Sequence, residues 1–244
     1  MSKRVLISAA TSGIGSAIAE RLAETHALLL HGRDPAKLEA LRGRLPNAAA
    51  HAVFVANLAG TDFSDMRERL AETIAREGEI SGFVHCAGTD FFENARNYDD
   101  ARTRELFSIN LFSAMAFVAA LLKKRVNGKA LSNVLFISSV SSVRGCSGKS
   151  FYASSKGALN SYARSLAREL APRVRVNSLL CGAIFTPMTE TLFRDAEARG
   201  RAEASQPFGI GVPADVAGIA SFLFSESARF VTGAEIPVDG GFCI

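Results

Sequence analysis

Short apolar segments alternate with longer amphipathic segments along almost the whole sequence. β-Branched and aliphatic residues are concentrated in seven runs: "RVLIS", "ALLLH", "AVFVA", "GFVHC", "NVLFIS", "VRVNSLL" and "AEIPVD". Between these runs, apolar residues recur at helical spacing, for example over residues 17–23, 70–74, 106–122 and 158–170. Because strands that are apolar on both faces must be covered on both faces, the pattern predicts a doubly wound α/β fold, with a parallel sheet between two layers of helices.

The length and composition fit one folded unit. The chain has 244 residues, of which 48% are hydrophobic, and this is enough to bury a sizeable core. No internal repeat and no linker rich in proline or serine marks a second domain, so we expect a single domain over residues 1–244. Residues 185–211 are charged and weakly periodic, and a long segment of this kind in a compact domain is typical of a substrate lid.

Charge and cysteine usage disfavour several classes of protein. The net charge is +4, but basic residues are interleaved with acidic ones, as in "RDAEARGRAEA", which favours a mixed solvated surface over a nucleic-acid site. The positive net charge is still compatible with a phosphorylated or polyanionic ligand. Four scattered cysteines, not grouped with the four histidines, predict no metal site and reduced thiols in a cytoplasmic protein. No apolar run approaches membrane-spanning length, so we expect a soluble protein without a membrane partner.

A glycine-rich turn follows the first predicted strand. In "SAATSGIGSAIAERLAE", Gly13 and Gly15 stand where the strand gives way to a helix. Glycine permits a tight turn and the close approach of a pyrophosphate, which backbone N–H groups at the helix N-terminus then bind. The turn therefore favours a dinucleotide site in a Rossmann-type fold over a plain strand-to-helix connection.

The tip of the second predicted strand indicates which dinucleotide is bound. An acidic residue there would bind a ribose 2′-hydroxyl, but the position holds Gly32, followed by Arg33. A guanidinium suits a 2′-phosphate, which predicts NADP(H) as the cofactor. The alternative is a solvated loop arginine, and Asp34 is in either case expected to cap the helix that begins at Pro35.

Tyr152 and Lys156 stand four residues apart in "FYASSKGAL". Residues at this spacing share one face of a helix, so both side chains can enter the same cleft. A nearby ammonium favours the phenolate and is expected to lower the pKa of the phenol, making it a proton donor or acceptor. A packed tyrosine beside a lysine that reaches solvent is the alternative.

Together these motifs resemble the short-chain dehydrogenase/reductase family in its single-domain form, over essentially the whole chain. The "TSGIG" turn resembles the cofactor loop of the family, "NLAG" its adenine-contacting segment and "HCAG" its Asn-Asn-Ala-Gly element. In the same way, "CGAIFTPM" is similar to the segment beside the nicotinamide, and "GAEIPVDGG" to the C-terminal strand.

The resemblance implies a catalytic set and a cofactor-binding set. The implied catalytic residues are Asn110, Ser139, Tyr152 and Lys156. Tyr152 would be the acid, Ser139 would hold the reacting oxygen, Lys156 would bind the ribose hydroxyls, and Asn110 would anchor a water. By residue type alone, Ser138, Ser141 and Ser142 compete with Ser139. The implied cofactor-binding residues are Thr11, Ser12, Gly13, Ile14, Gly15, Arg33, Asn57, Leu58, Ala87, Gly88, Tyr152, Lys156, Gly182, Ile184 and Thr186.

Four positions depart from the pattern of the family. Ala9 stands where the first loop glycine is usual, Asn57 where aspartate is common, Cys86 where asparagine is usual and Cys181 where proline is usual. Asn57 keeps a side-chain carbonyl that can accept from the adenine amino group. Ala9 adds a methyl group near the expected phosphates.

The implied function is reversible NADPH-dependent reduction of a ketone. The "KKR" sequence that ends at Arg125 and the "PFGIGVPADVA" segment look most like 3-oxoacyl-carrier-protein reductases. A sugar, polyol or small cyclic alcohol dehydrogenase is an alternative, and a non-catalytic NADP-binding subunit is another. The resemblance also implies a homotetramer, and an acyl carrier protein docked beside the cleft at Arg125 and Arg173.

Overall fold

All seven predicted strands are present in the computed structural model, which describes residues 4–60 and 62–244. They form one sheet in the order β3-β2-β1-β4-β5-β6-β7, and every neighbouring pair is parallel. The predicted doubly wound fold is therefore confirmed. The strands are β1 (Arg4–Ser8), β2 (Ala27–Gly32), β3 (Ala52–Val55), β4 (Ile80–His85), β5 (Asn133–Ser139), β6 (Arg175–Cys181) and β7 (Glu235–Val238).

Helices occupy most of the chain between the strands, and the predicted helical segments all lie in or beside them. A π-helical turn, Ser108–Phe112, connects two of the helices. The α-helices are α1 (Gly13–Leu22), α2 (Pro35–Arg44), α3 (Ser64–Glu77), α4 (Asp100–Phe107), α5 (Ser113–Leu122), α6 (Lys124–Asn127), α7 (Ser150–Leu170), α8 (Glu190–Arg194), α9 (Ala196–Ser205) and α10 (Pro213–Phe224).

Each face of the sheet packs against its own group of helices. Leu6 of β1 belongs to an apolar cluster with α3, α5 and α7, whereas its neighbour Ile7 belongs to a second cluster with α1, α2 and α10. Phe83 and Val84 of β4 divide between the two clusters in the same way. Successive strand residues point to opposite faces, so a sheet covered on both sides requires the uninterrupted apolar runs seen in the sequence.

The continuous helical segment Asp100–Leu122 is longer and more apolar than the sequence-based expectation allowed. By length and composition alone it could cross a membrane, contrary to the prediction that no run approaches that length. Inside the fold, 56% of its most apolar window is buried. Leu106, Leu111 and Phe117 are buried, and the latter two belong to the larger apolar cluster. Core packing therefore accounts for the apolar character of this segment.

The segment 185–211, predicted as an irregular lid, contains the two short helices α8 and α9. Its ion pairs are spaced four residues apart, and they include Arg194 with Glu190 and Arg199 with Glu203. Such pairs and the alanine-rich sequence support a helix that lacks an apolar stripe. Periodicity missed α9 because it buries none of its residues, and α8 because it is only five residues long.

The topology gathers several loops at one edge of the sheet. The strand order reverses between β1 and β4, and in open parallel sheets the crevice beyond the carboxyl ends at such a point is where ligands bind. The segments that follow β1, β4, β5 and β6 all leave the sheet at this edge. They carry the "TSGIG", "HCAG" and "CGAIFTPM" motifs and the residues between Ser139 and Tyr152.

Candidate active site

Ser139, Tyr152 and Lys156 line one cavity of about 110 Å³ at this edge. Ser139 is the last residue of β5, and α7 begins close by and carries the other two side chains. Lys156 is 4% exposed, and its Nζ donates to the carbonyl oxygen of Ile137 at 2.9 Å. Nζ lies 5.9 Å from the centroid of the Tyr152 ring. The structure thus brings three of the four predicted catalytic side chains together.

Asn110, the fourth, lies beside this cavity in the π-helical turn. Its side chain is fully buried and accepts from Thr89 N at 2.8 Å, donates to Thr89 O at 3.0 Å and donates to Ser155 Oγ at 2.9 Å. It therefore ties the loop after β4 to helix α7. A Cβ placed on Gly88 would lie 3.4 Å from Lys156 Nζ and 3.6 Å from Asn110 Oδ1, so Gly88 is close to both. The water-anchoring role of Asn110 stays a prediction.

Burial sets the protonation of the two acid–base groups. It raises the pKa of Tyr152 above its ordinary value; the negative charge of Asp90 adds to the rise, and a hydrogen bond with Ser139 opposes it. Burial also lowers the pKa of Lys156 to about 8. The expectation that the ammonium would lower the pKa of the phenol is wrong here, because burial acts more strongly. Tyr152 is accordingly a protonated phenol at neutral pH.

The glycine-rich turn has the close packing that a phosphate-binding loop requires. Ser12 caps α1, and its Oγ accepts from Gly15 N at 3.1 Å. A Cβ on Gly15 would lie 2.3 Å from the carbonyl oxygen of Ala9, so only glycine fits there. A Cβ on Gly13 would lie 3.0 Å from Thr186, which places the turn against the segment after β6.

A second cavity, of about 460 Å³, adjoins the turn and is lined by seven of the fifteen predicted cofactor-binding residues. It shares Gly88 and Met188 with the cavity around Tyr152, so the two cavities are adjacent. Asn57 Oδ1 accepts from Ala59 N at 3.1 Å, which leaves its second lone pair for a ligand. The predicted residues that line this cavity are Thr11, Ser12, Arg33, Asn57, Leu58, Ala87 and Gly88. Those that line the cavity around Tyr152 are Ile14, Gly88, Tyr152, Lys156, Gly182, Ile184 and Thr186.

Arg33 is exposed at the end of β2, on the wall of the nucleotide cavity. Within residues 4–60 and 62–244 it makes no ion pair. Asp34 caps α2 as expected, because its Oδ1 accepts from Ala36 N at 2.9 Å and from Lys37 N at 3.1 Å. The carboxylate beside Arg33 is therefore engaged by the helix, and Arg33 lies on the cavity wall without an ion-pair partner among the described residues.

The comparisons with known proteins agree with this arrangement. A family model described as enoyl-(acyl carrier protein) reductase matches residues 8–243. A 3-oxoacyl-(acyl-carrier-protein) reductase, MabA, from Mycobacterium bovis is 30% identical over 243 residues, covering 99% of this chain and 93% of MabA. The chain belongs to the short-chain dehydrogenase/reductase family.

Solved structures of other family members have the same fold. A glucose/ribitol dehydrogenase of the family from Brucella melitensis is 30% identical with a TM-score of 0.90, covering 99% of this chain and 97% of that one. The RhlG/NADP active-site complex from Pseudomonas aeruginosa is 26% identical with a TM-score of 0.89, covering 99% and 96%. This short-chain dehydrogenase/reductase is therefore an oxidoreductase that acts on alcohol or ketone groups with a nicotinamide cofactor.

A third cavity of the enzyme, of about 410 Å³, shares Ser139, Tyr152 and Gly182 with the cavity around Tyr152 and extends under residues 185–211, the predicted lid. Sequence reasoning missed most of its lining. Asp90 follows the "HCAG" motif by two residues and Lys149 precedes Tyr152 by three, and these spacings are the only signals for them. The other residues missed include Met188, Phe193, Gln206 and Phe242.

The two arginines predicted to receive a carrier protein do not border the cleft of their own chain. Arg125 lies in α6, before β5, and Arg173 lies between α7 and β6. Residues that precede parallel strands are at the amino-terminal edge of the sheet, opposite the edge that carries Tyr152. The expectation that these arginines flank the cleft is therefore wrong within one chain.

Ala9 has a backbone conformation that favours glycine. Its φ is +48°, in the left-handed region, where an alanine is strained. We expect Ala9→Gly to raise the free energy of unfolding by roughly 0.5–1 kcal/mol, after allowance for the greater freedom of glycine in the unfolded chain. Urea unfolding measures the change. Ala10→Gly, at a buried position without positive φ, is the matched control and should destabilise; equal loss at both positions would contradict the account.

Proposed function

We propose that this enzyme reduces a ketone of the 3-oxoacyl thioester type to an alcohol, with NADPH as the cofactor. The observation that carries the proposal is the position of Tyr152 and Ser139. Both side chains line the cavity around Tyr152 and also the larger cavity under the lid. A carbonyl group held at this junction would meet the proton donor from one side and the nucleotide site from the other.

The residues of the chain divide the chemistry between them. When bound, NADPH supplies the hydride that the carbonyl carbon accepts. Ser139 donates a hydrogen bond that holds the carbonyl oxygen, and Tyr152 transfers its phenolic proton to that oxygen. Because burial raises the pKa of Tyr152, the phenol retains this proton at neutral pH. Lys156, fixed by the carbonyl of Ile137, stabilises the phenolate left behind and binds the ribose hydroxyls.

The lining under the lid supports an acyl substrate. Met188, Phe193, Phe242 and Val140 give this cavity an extended apolar wall. Such a wall binds a hydrocarbon chain through the hydrophobic effect and leaves the polar end at Ser139 and Tyr152. One feature favours a second candidate, a sugar or polyol: Asp90 Oδ1 is buried without a hydrogen-bond partner among the described residues and can accept from a substrate hydroxyl.

The proposed carrier and the proposed homotetramer depend on each other. An acyl carrier protein that bound at Arg125 and Arg173 would be on the far edge of the sheet from Tyr152 in the same chain. Delivery of its acyl group would then require the cleft of a neighbouring chain beside these arginines.

We also propose a cytoplasmic location, which is supported by four cysteines that are all free thiols.

Replacing the phenol tests the proposed acid. Tyr152→Phe should reduce turnover about 10²- to 10⁴-fold, the usual contribution of general acid catalysis, while NADPH still binds, because only the transferable proton is lost. NADPH consumption with an acetoacetyl thioester of N-acetylcysteamine measures turnover. Tyr162→Phe, on the same helix but packed against Phe136, is the control and should stay near the wild-type rate. Near-normal turnover of Tyr152→Phe would contradict the assignment.

Arg33 should determine the choice of cofactor. A charge-assisted contact with a 2′-phosphate is worth roughly 1.5–3 kcal/mol, so Arg33→Ala should lower the preference for NADPH over NADH about ten- to a hundredfold. The ratio of kcat/KM for the two cofactors measures it. Arg42→Ala, which removes an exposed arginine of α2 paired with Glu39, should leave the ratio unchanged. Equal efficiency of the unmodified enzyme with NADPH and NADH would overturn the proposal.

A further inference from the structure

An ion pair lines the substrate side of the cleft. Lys149 Nζ contacts Asp90 Oδ2, and the two side chains are 14% and 17% exposed. Both residues line the cavity under the lid together with Tyr152. Charged side chains this far from water interact more strongly than exposed ones, because less solvent screens them. The pair therefore belongs to the electrostatic environment of the phenol.

The surroundings hold both charges in place. Lys149 Nζ lies 3.7 Å from the centroid of the Phe92 ring and 5.4 Å from that of Tyr152. Asp90 follows Thr89, whose backbone N–H and C=O are both bound by Asn110. The second carboxylate oxygen of Asp90 is buried and has no hydrogen-bond partner in the described part of the chain. Lys149 compensates the charge of Asp90 by direct contact, and the Lys156 ammonium also interacts electrostatically with this carboxylate.

Several other titratable groups face Tyr152, and among them Lys156, whose pKa burial lowers to about 8, also carries a charge. Lys156 lies on the same helix, and Cys181 approaches from the end of β6. Burial raises the pKa of the thiols of Cys181 and Cys86, which are therefore neutral. The remaining titratable and charged residues around the two cavities that hold the phenol are Cys146, in the loop before α7, and Arg201, whose side chain is 65% exposed and paired with Glu197.

We propose that the Asp90–Lys149 ion pair sets the pH at which Tyr152 exchanges its proton. Asp90 opposes formation of the phenolate, and Lys149 is a positioning residue that cancels this opposition by neutralising the carboxylate. The inference rests on the proposed role of Tyr152 as the acid. It predicts that substitutions of Lys149 and of Asp90 shift the apparent pKa of alcohol oxidation in opposite directions. If the pair were merely structural, the two substitutions would have effects in the same direction.

The pH dependence of alcohol oxidation tests the inference, because oxidation requires the phenolate and its rate falls as pH drops below the apparent pKa. The probe is the 3-hydroxybutyryl thioester of N-acetylcysteamine with NADP⁺. Asp90→Asn leaves the ammonium uncompensated and should lower the apparent pKa by about one unit. Lys149→Gln leaves the carboxylate uncompensated and should raise it by about one unit. The double variant should return close to the wild-type value.

Two controls keep the test decisive. Lys149→Arg retains the positive charge and should retain the wild-type pH profile. A pH titration of tyrosinate absorbance, with Tyr152→Phe subtracted, reads the phenol without substrate, since the chain has only three tyrosines and no tryptophan. It should show the same lowering in Asp90→Asn. Unmoved apparent pKa values, or shifts of both single variants in the same direction, would overturn the inference. An active Tyr152→Phe would instead overturn the proposed function.

Discussion

The buried ammonium of Lys156 is the constraint around which the site is organised. A charge with almost no access to water is costly, and here its compensation includes a hydrogen bond to the carbonyl of Ile137 on the neighbouring strand. That bond fixes α7 against β5 and thereby places Tyr152 beside Ser139. The same burial keeps the phenol protonated. Positioning and protonation of the catalytic groups thus have one physical origin.

Glycine positions make room for this arrangement. At Gly88 the backbone comes close to the ammonium and to Asn110, and at Gly15 it comes within contact of the turn that begins with Ala9. Asn110 links the loop after β4 to α7 through three hydrogen bonds. Cys86 and Cys181, which depart from the family pattern, occupy the cavity around Tyr152 as neutral thiols. These two thiols therefore add no charge to the pocket.

The parts of the structure that depend on local pattern could be predicted from the sequence. The strands could be predicted, because they contain uninterrupted apolar runs such as Val134 to Ile137 of β5. The placement of Tyr152 and Lys156 at one cavity could be predicted, because the two residues are near one another along one helix. Helix α9 could not be predicted, because it is stabilised by ion pairs and buries no apolar face. Lys149 and Asp90 were missed because their contact joins residues distant in sequence, and Arg125 was misplaced because the edge of the sheet on which a residue lies emerges only from the topology.

The transfer of label from the cofactor tests the central claim most directly. NADPH carrying deuterium at its transferable position would be incubated with the acetoacetyl thioester of N-acetylcysteamine, and the product examined by mass spectrometry and NMR. The expected result is deuterium on the carbinol carbon when the label is on the cofactor, and none on that carbon when the solvent is the source of the label. Product alcohol without cofactor-derived deuterium, or with solvent deuterium on the carbinol carbon, would contradict hydride transfer from the cofactor.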